Sequence, residues 1–172
     1  MIHLLIAKAL YFFLPAYLAN MTPILVKKIP FLGKPIWENR LGNHKTWRGL
    51  VFGTLAGMLI FWLQKIAYVN GFQKLALIDY SGFSVLFGFL LGFGALLGDA
   101  VKSYYKRKAE LAPGKPWIPF DQLDFVFGAI ILGFLMYVPP VEIVLTLLIV
   151  SPLLHLFTNY IGYLMKINKN KL

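Results

Sequence analysis

The stretch of sequence that decides the fold reads GFSVLFGFLLGFGALLG over Gly82–Gly98 and continues without a break into DAVKSYYKRK over Asp99–Lys108. Its first part has no charged side chain and approaches the roughly 20 apolar residues that a helix needs to cross a bilayer. Its second part is rich in basic side chains, which is typical of the cytoplasmic end of a spanning helix. This pattern predicts an all-α integral membrane protein.

Four other stretches have the same apolar character. They cover about Ile2–Val26, Gly49–Val69, Asp124–Val138 and Val141–Met165. The chain of 172 residues is 59% hydrophobic and 14% charged, whereas soluble domains carry about 25% charged residues, so the apolar excess must face lipid. We therefore predict one transmembrane domain over residues 1–172 with five spanning helices. The fourth is short, and needs residues from upstream or a thinned bilayer.

Basic residues are unevenly distributed between the connections. Fourteen of the 17 Lys and Arg residues lie in the segments 27–48 and 99–123 or in the C-terminal tail. The positive-inside rule makes these segments cytoplasmic, so we expect a cytoplasmic C-terminus and, with five spans, an N-terminus outside the cell membrane. The net charge of +10 is also typical of nucleic-acid binding. Beside such long apolar runs it favours membrane lipids or a phosphate-bearing substrate instead, and we expect no nucleic acid partner.

Glycines recur at four-residue spacing on two of the predicted spans. Small residues at this spacing let helix backbones approach closely, which is how helices associate in lipid. We expect the second and third spans to pack together in this way, bringing both cytoplasmic segments to one end of the bundle. The residues are Gly49, Gly53, Gly57, Gly88, Gly92, Gly94 and Gly98.

A column of polar side chains follows if the third helix continues into the cytoplasm. At 100° per residue, one arc of roughly 100° contains Asp99, Lys102, Ser103, Lys106 and Glu110. A carboxylate, a hydroxyl and an ammonium group in one column can hold a divalent cation and a phosphate together.

Two more carboxylates open the fourth span, where Asp121 and Asp124 lie three residues apart on one helix face. Free backbone amides stabilise carboxylates at a helix N-terminus, which explains Asp121 as a cap but explains the deeper Asp124 less well. Such oxygen ligands also suit Mg²⁺, which usually takes one or two carboxylates and leaves the rest of its shell to water and substrate phosphates. From the residues alone, a metal–phosphate site and a set of helix caps with surface ion pairs both remain open.

The first cytoplasmic segment contains NRLGNHKTWRG over residues 39–49. Lys45 and Arg48 lie beside the membrane at the start of a glycine-lined helix, where they could contact substrate phosphates. The alternative is a positive-inside anchor, with Trp37 and Trp47 in the interfacial aromatic belt. We interpret His155, inside the fifth span, as a packed, hydrogen-bonded histidine.

In combination these motifs resemble the membrane CTP-transferases and, more narrowly, the archaeal CDP-archaeol synthases, a branch related to the CDP-diacylglycerol synthases. The motifs are KTWRG at Lys45–Gly49, Gly98-Asp99, Lys102-Ser103, Lys106-Arg107, Pro113-Gly114 and DQLD at Asp121–Asp124. The bacterial form usually separates its acidic pair with arginine and places His-Gly-Gly before it. Gln122 stands in place of that arginine and Trp117–Phe120 precedes Asp121. This favours the archaeal branch and leaves open which residue does the arginine's work.

The resemblance implies that CTP and an unsaturated archaeal ether-lipid phosphate react to give the CDP-activated lipid and pyrophosphate. It further implies Mg²⁺ as cofactor and an active site on the cytoplasmic side of the membrane. The implied metal ligands, which with Lys106 form the catalytic group, are Asp99, Asp121 and Asp124. The residues implied to hold substrate phosphates are Lys45, Arg48, Lys102, Ser103 and Arg107.

Three alternative functions remain. A CTP-dependent polyprenol kinase of the same superfamily would transfer the γ-phosphoryl group and release CDP. A small cation or proton transporter would need carboxylates near the middle of its spans, whereas these lie at the edge. A non-catalytic membrane scaffold would give the polar column no chemical role.

Overall fold

The computed structural model describes residues 2–111 and 115–164. In that part of the chain the backbone forms six α-helices joined by loops and two single 3₁₀ turns. They are α1 (Ile2–Leu25), α2 (Glu38–Leu41), α3 (Trp47–Val69), α4 (Leu86–Lys108), α5 (Phe120–Gly133) and α6 (Val141–Leu164). The predicted motif Pro113-Gly114 and the basic tail residues Lys166, Lys169 and Lys171 lie outside the described residues.

Membrane-spanning character is confirmed for four of these helices. The segments that are long and apolar enough to span a bilayer, among the described residues, are Ile2–Lys28, Trp47–Val69, Leu86–Lys108 and Val141–Thr158. α5 has 14 residues and is therefore about 21 Å long, against a hydrocarbon thickness of roughly 30 Å. The length of α5 does not confirm the prediction of a fifth spanning helix.

α3 packs antiparallel to both α1 and α4. Gly49 at the start of α3 lies against Pro23 near the end of α1, and further along α3 Gln64 donates a hydrogen bond to the carbonyl of Tyr11. On α4, Gly53 lies against Leu96, whereas the later Gly57 lies against the earlier Gly88. The start of α3 and the end of α4 are thus at the same end of the bundle.

α5 and α6 complete the up-and-down order. Asp121 at the start of α5 pairs with Lys102 near the end of α4, whereas Gly133 at the other end of α5 lies against Leu91. α6 then returns, since the ring of His155 lies 6.3 Å from that of Phe125. Both long connections, residues 29–46 and 109–119, therefore emerge at one end of the bundle, as the sequence predicts.

Glycine backbones form the contact surfaces between α3, α4 and α5. A Cβ atom added to Gly57 would lie 2.9 Å from both the carbonyl oxygen of Gly88 and the Cα of Gly92. One added to Gly94 would lie 2.5 Å from the carbonyl oxygen of Gly128. Real Cβ atoms do not approach so closely, so only glycine allows these helix separations. The predicted close packing of the second and third spans is confirmed.

Aromatic side chains fill the bundle at the end away from the two long connections. Tyr80, in the 3₁₀ turn between α3 and α4, is fully buried, and its ring centroid lies 5.5 Å from that of Phe61. Phe87 makes an edge-to-face contact with Phe61 at 5.4 Å, and Tyr137 lies 6.5 Å from Phe87. Such pairs stabilise the fold beyond the effect of the area that they bury, so this end of the bundle is a mainly aromatic core.

The third predicted helix continues past its glycine-rich part, as expected, but ends earlier than the polar column requires. α4 ends at Lys108, and Glu110 lies in the following turn with a positive φ of 56° and an exposed side chain. The prediction that Glu110 belongs to the column is therefore wrong. Glu110 adopts a left-handed backbone conformation, which interrupts the right-handed dihedral angles of the helix. α4 therefore ends before this residue.

Gly98→Ala should lower the thermal unfolding midpoint of the protein in detergent. A Cβ at this position would overlap the carbonyl oxygen of Asp124, and overpacking of a close contact costs about 1–3 kcal/mol. Gly82→Ala is the matched control, because its Cβ would meet open space. Equal unfolding midpoints for the two variants would contradict the close contact between α4 and α5.

Candidate active site

Three aspartates and three lysines meet at the end of the bundle from which the two long connections emerge. Asp99 and two of the lysines lie on α4, two aspartates lie on the first turns of α5, and one lysine comes from the loop before α3. We call this group the acidic cluster. Its members are Asp99, Asp121, Asp124, Lys45, Lys102 and Lys106.

Lys102 is the centre of the acidic cluster. Its Nζ lies 3.2 Å from Asp99 Oδ1, 3.0 Å from Asp121 Oδ1 and 2.8 Å from Asp124 Oδ2. The side chain is only 15% exposed. One ammonium group therefore neutralises carboxylates from two helices and holds the end of α4 to the start of α5.

Two lysine side chains and a backbone amide hold the carboxylate of Asp121. Lys106 Nζ donates to both of its carboxylate oxygens at 3.0 Å, and Lys102 donates to Oδ1 at the same distance. The backbone N–H of Trp117 donates to Oδ2 at 2.5 Å. None of these contacts caps α5, because its N-cap is Pro119 without a side-chain capping bond and Trp117 lies before the helix, so the carboxylate is part of an ionic network at the helix start.

Asp124 is the most buried of the three aspartates, with a side chain that is 4% exposed. Its Oδ1 accepts a hydrogen bond of 2.6 Å from the backbone N–H of Phe125. Its Oδ2 is buried and, among the described residues, accepts no hydrogen bond, although Lys102 Nζ lies within ion-pair distance. The ammonium group of Lys102, 2.8 Å away, is the charged partner of this oxygen, and a divalent cation that displaced it would have to keep the oxygen paired.

The first loop reaches the acidic cluster through Lys45, which forms an ion pair with Asp99. Arg48 does not reach it. Its guanidinium donates to the carbonyl of Ile29, and its backbone N–H donates to the carbonyl of Leu32 at 2.7 Å. The structure thus brings Lys45 to the predicted site, while Arg48 holds the preceding loop against the start of α3.

Two further residues predicted to hold phosphates occupy different positions. Ser103 is buried, and its hydroxyl donates to the carbonyl of Asp99 one turn earlier at 2.8 Å. Ser103 therefore lies beside the acidic cluster, and its hydroxyl proton is already used in this hydrogen bond. Arg107 lies on another face of α4, where its Nη1 donates to the carbonyl of Leu111 at 2.5 Å. The predicted set of phosphate contacts is therefore divided between two faces of one helix.

Two residues that the sequence did not assign to the site lie beside it. His155 on α6 packs against Phe125 and lies within electrostatic range of Asp99, Asp121 and Lys102. Gln122, which separates the two aspartates of the DQLD motif in the sequence, is 4% exposed and lies on a different face of α5. A lone histidine in an apolar helix carries no sequence signal for this position, because only the packing of α6 brings it to the end of α5.

A divalent cation fits the donor set of the acidic cluster once Lys102 moves. Among the described residues, no three His, Cys, Asp or Glu side chains are placed to hold a metal ion as they stand, since the ammonium of Lys102 occupies the space between the carboxylates. Mg²⁺ needs only one or two carboxylates, with oxygen distances of about 2.0–2.1 Å, and takes water or phosphate oxygens for the rest. Asp124 Oδ2, which accepts no hydrogen bond, is the best placed donor.

Comparisons with known proteins identify the family of the chain. The sequence model of the family described as CarS-like, CDP-archaeol synthase, matches residues 1–171. The chain belongs to this family. CDP-archaeol synthases of Pyrococcus furiosus and Methanocaldococcus jannaschii are 38% and 36% identical to it, with 94% of the chain aligned to 95% of the first and 95% to 95% of the second. The Thermococcus gammatolerans enzyme is 40% identical over 91% of both chains.

One solved structure has a similar fold. It is described as an intramembrane enzyme for archaeal membrane lipids biosynthesis, and it superposes with a TM-score of 0.70 at 28% identity, covering 88% of this chain and 92% of that one. The resemblance seen in the sequence motifs is confirmed. The protein is a multi-pass membrane enzyme, a nucleotidyltransferase of the CDP-archaeol synthase family that transfers cytidylyl groups.

Lys102→Met should lower the thermal unfolding midpoint well below that of the parent protein. The variant leaves three carboxylates without their common counter-charge, and breaking a buried ion pair from one side costs about 3–5 kcal/mol. Adding Asp124→Asn to Lys102→Met should restore part of the loss, because Asp99 keeps Lys45 and Asp121 keeps Lys106, whereas Asp124 loses its lysine partner. Lys34→Met, at an exposed position, is the control. A loss no larger than that of the control would contradict the central position of Lys102.

Proposed function

We propose that this protein is a CDP-archaeol synthase that transfers the cytidylyl group of CTP to an unsaturated archaeal ether-lipid phosphate, 2,3-bis-O-geranylgeranyl-glycerol phosphate. The products are the CDP-lipid and pyrophosphate, and the reaction depends on Mg²⁺. The observation that carries the proposal is the family match over residues 1–171, together with an acidic cluster at the boundary of the spanning helices, where a water-soluble nucleotide and a lipid can meet.

The reaction is a displacement at phosphorus. An oxygen of the lipid phosphate forms a bond to the α-phosphorus of CTP, and the bond between that phosphorus and the oxygen bridging to the β-phosphate breaks. Pyrophosphate leaves with the electron pair. The attacking phosphate is already an anion, so no general base is needed, and the obstacle is the repulsion between two polyanions. Neutralisation of charge is what the protein must supply.

The lysines of the acidic cluster can exchange their carboxylate partners for phosphate oxygens. Three aspartates and three lysines balance each other, so the lysines are held on carboxylates while no substrate is bound. On binding of CTP, Lys102 and Lys106 would exchange their aspartate partners for phosphate oxygens of the nucleotide. Bound Mg²⁺ would be held by Asp124 and by Asp121 or Asp99, and would supply further positive charge at the phosphates. Lys45 pairs with Asp99 and borders the site on the side of the first loop.

The direction of each helix supports five crossings of the membrane with the acidic cluster on the cytoplasmic side. α5 runs from the acidic cluster to the level of Leu91, and the turn after it carries Tyr137 to Phe83, which precedes α4. α5 and this turn together therefore cover the distance that the apolar part of α4 covers. With five passes the two termini lie on opposite sides. The basic character of the segments 27–48 and 99–123 supports a cytoplasmic position for the acidic cluster.

Purified protein should convert CTP and the lipid phosphate to CDP-lipid only with a divalent cation. Asp121→Asn and Asp124→Asn should each reduce the rate by about 10²–10³-fold or more, because charge at the reacting phosphates is lost. Asp79→Asn is the matched control, since Asp79 is exposed and bonds only to Ser81 among the described residues. CTP labelled at the α- or the γ-phosphate identifies which group the lipid receives. Transfer of the γ-label would establish the kinase instead.

The proposed topology predicts the labelling of single cysteines in a chain that has none of its own. In right-side-out vesicles, cysteines at Lys34 and Lys115 should resist an impermeant thiol reagent, and one at Asn70 should react. Permeabilised vesicles should label at all three positions, which controls for accessibility. Reaction of the cysteines at Lys34 and Lys115 from outside would contradict the proposed orientation. It would also put the acidic cluster outside the compartment that contains CTP.

A further inference from the structure

A groove lies on the outside of the bundle, at the end opposite the acidic cluster. It has a volume of about 430 Å³, which is within the range of small-molecule binding sites. The last turns of α3 form one wall, and the residue before α4 contributes to the other. We call it the apolar groove. Its lining residues are Trp62, Lys65, Ile66, Val69, Asn70 and Val85.

The apolar groove faces the hydrocarbon region of the membrane close to its boundary. Trp62, Ile66 and Val69 follow helical spacing on one face of α3 and are 47%, 40% and 66% exposed. Because α3 is long and apolar enough to span a bilayer, these side chains contact lipid. Lys65 lies four residues before the end of α3, about 6 Å along the helix axis, which places its charge near the level of the lipid headgroups.

Lys65 is the charged residue of the apolar groove. Its Nζ donates a hydrogen bond of 2.9 Å to the carbonyl of Phe83, which precedes α4. An ammonium group has three N–H donors, and within the described part of the chain Lys65 has no second acceptor and no ion pair. Two donors and the positive charge are therefore left without a protein partner at the edge of an apolar surface.

Asp79 is the acidic residue that acts on Lys65, and it does not neutralise the ammonium group. The two side chains are within electrostatic range but farther apart than an ion pair. Asp79 is exposed, and its Oδ1 already accepts hydrogen bonds from the backbone N–H and the hydroxyl of Ser81. Salt screens the attraction between separated, solvent-exposed charges, so the charge of Lys65 remains available to an anion.

Snorkelling of a lysine side chain explains only part of this arrangement. Lysines near the ends of spanning helices commonly extend towards the interface, which accounts for the depth of Lys65. A side chain that only sought water would not need the carbonyl of Phe83. That hydrogen bond holds the ammonium group between α3 and the segment before α4, beside the apolar lining of the groove.

We propose that the apolar groove binds a membrane lipid with an anionic phosphate headgroup. One hydrocarbon chain lies along Trp62 and Ile66, and the phosphate accepts hydrogen bonds from Lys65. The bound lipid joins α3 to the segment that carries Tyr80 into the aromatic core, and so stabilises that end of the bundle. The site does not depend on the reaction proposed above, because it lies at the other end of the molecule and its occupancy is measured without turnover.

Fluorescence of Trp62 reports a lipid in the apolar groove. The full chain has four tryptophans, and replacing the other three with phenylalanine leaves Trp62 as the single reporter. This protein is reconstituted into phosphatidylcholine vesicles that contain a graded fraction of phosphatidylglycerol or of phosphatidylcholine with brominated chains, which quench a tryptophan that they contact.

Three further substitutions in the single-tryptophan protein isolate the charge of Lys65. Lys65→Gln keeps a neutral donor for the carbonyl of Phe83, and Lys65→Arg keeps the positive charge. Lys74→Gln is the matched control, because it removes an exposed positive charge from the same end of the bundle.

Brominated phosphatidylglycerol should quench Trp62 at a mole fraction about fivefold lower than brominated phosphatidylcholine, as expected for one lysine at an anionic headgroup. Lys65→Gln should abolish this preference, Lys65→Arg should retain it, and Lys74→Gln should change it by less than about twofold. Equal quenching by the two lipids, a preference that survives Lys65→Gln, or one that Lys74→Gln abolishes overturns the proposal. Absence of quenching by either lipid also overturns it, and indicates that protein, such as a second copy of the chain, covers the groove.

Discussion

Contact between the backbones of α4 and α5 is the constraint on which the polar end of the molecule depends. Gly94 and Gly98 on α4 lie directly against Gly128 on α5, and this contact fixes how far one helix is shifted along the other. With that register set, the first turns of α5 can only face the last turns of α4. Asp121 and Asp124 then meet Lys102, which no sequence spacing alone brings to them.

The acidic cluster shows how six charged side chains are tolerated near lipid. Isolated charges at this depth are expensive, and each member here is paired with an opposite charge. Such a network contributes little net stability, because desolvation offsets most of the attraction. The network instead holds the carboxylates and the lysines in position for the cation and the phosphates of the proposed reaction. Stability of the fold comes from the aromatic core and the glycine contacts at other levels of the bundle.

The sequence predicts those parts of the structure that follow from local pattern. Apolar runs locate four spans, the 100° period places Asp99, Lys102 and Lys106 on one face, and charge bias puts both long loops at one end. Contacts between distant segments are not encoded in such patterns. The central position of Lys102, the attachment of Arg48 to Ile29 instead of the acidic cluster and the approach of His155 all depend on how helices pack. Glu110 lies outside the polar column because the end of α4 depends on the backbone conformation of the following turn, which the residue types alone do not determine.

The shortness of α5 has a consequence for the lipid around it. The helix itself is about 21 Å long, so the turn after it has to complete the crossing, and a bilayer adapts to a short apolar segment by thinning next to it, at a cost of fractions of a kcal/mol per Å. Where the bilayer thins beside α5, lipid headgroups stand closer to the level of Asp124 than those in the surrounding leaflet. A lipid phosphate can reach this level by lateral diffusion, with its two hydrocarbon chains still within the membrane.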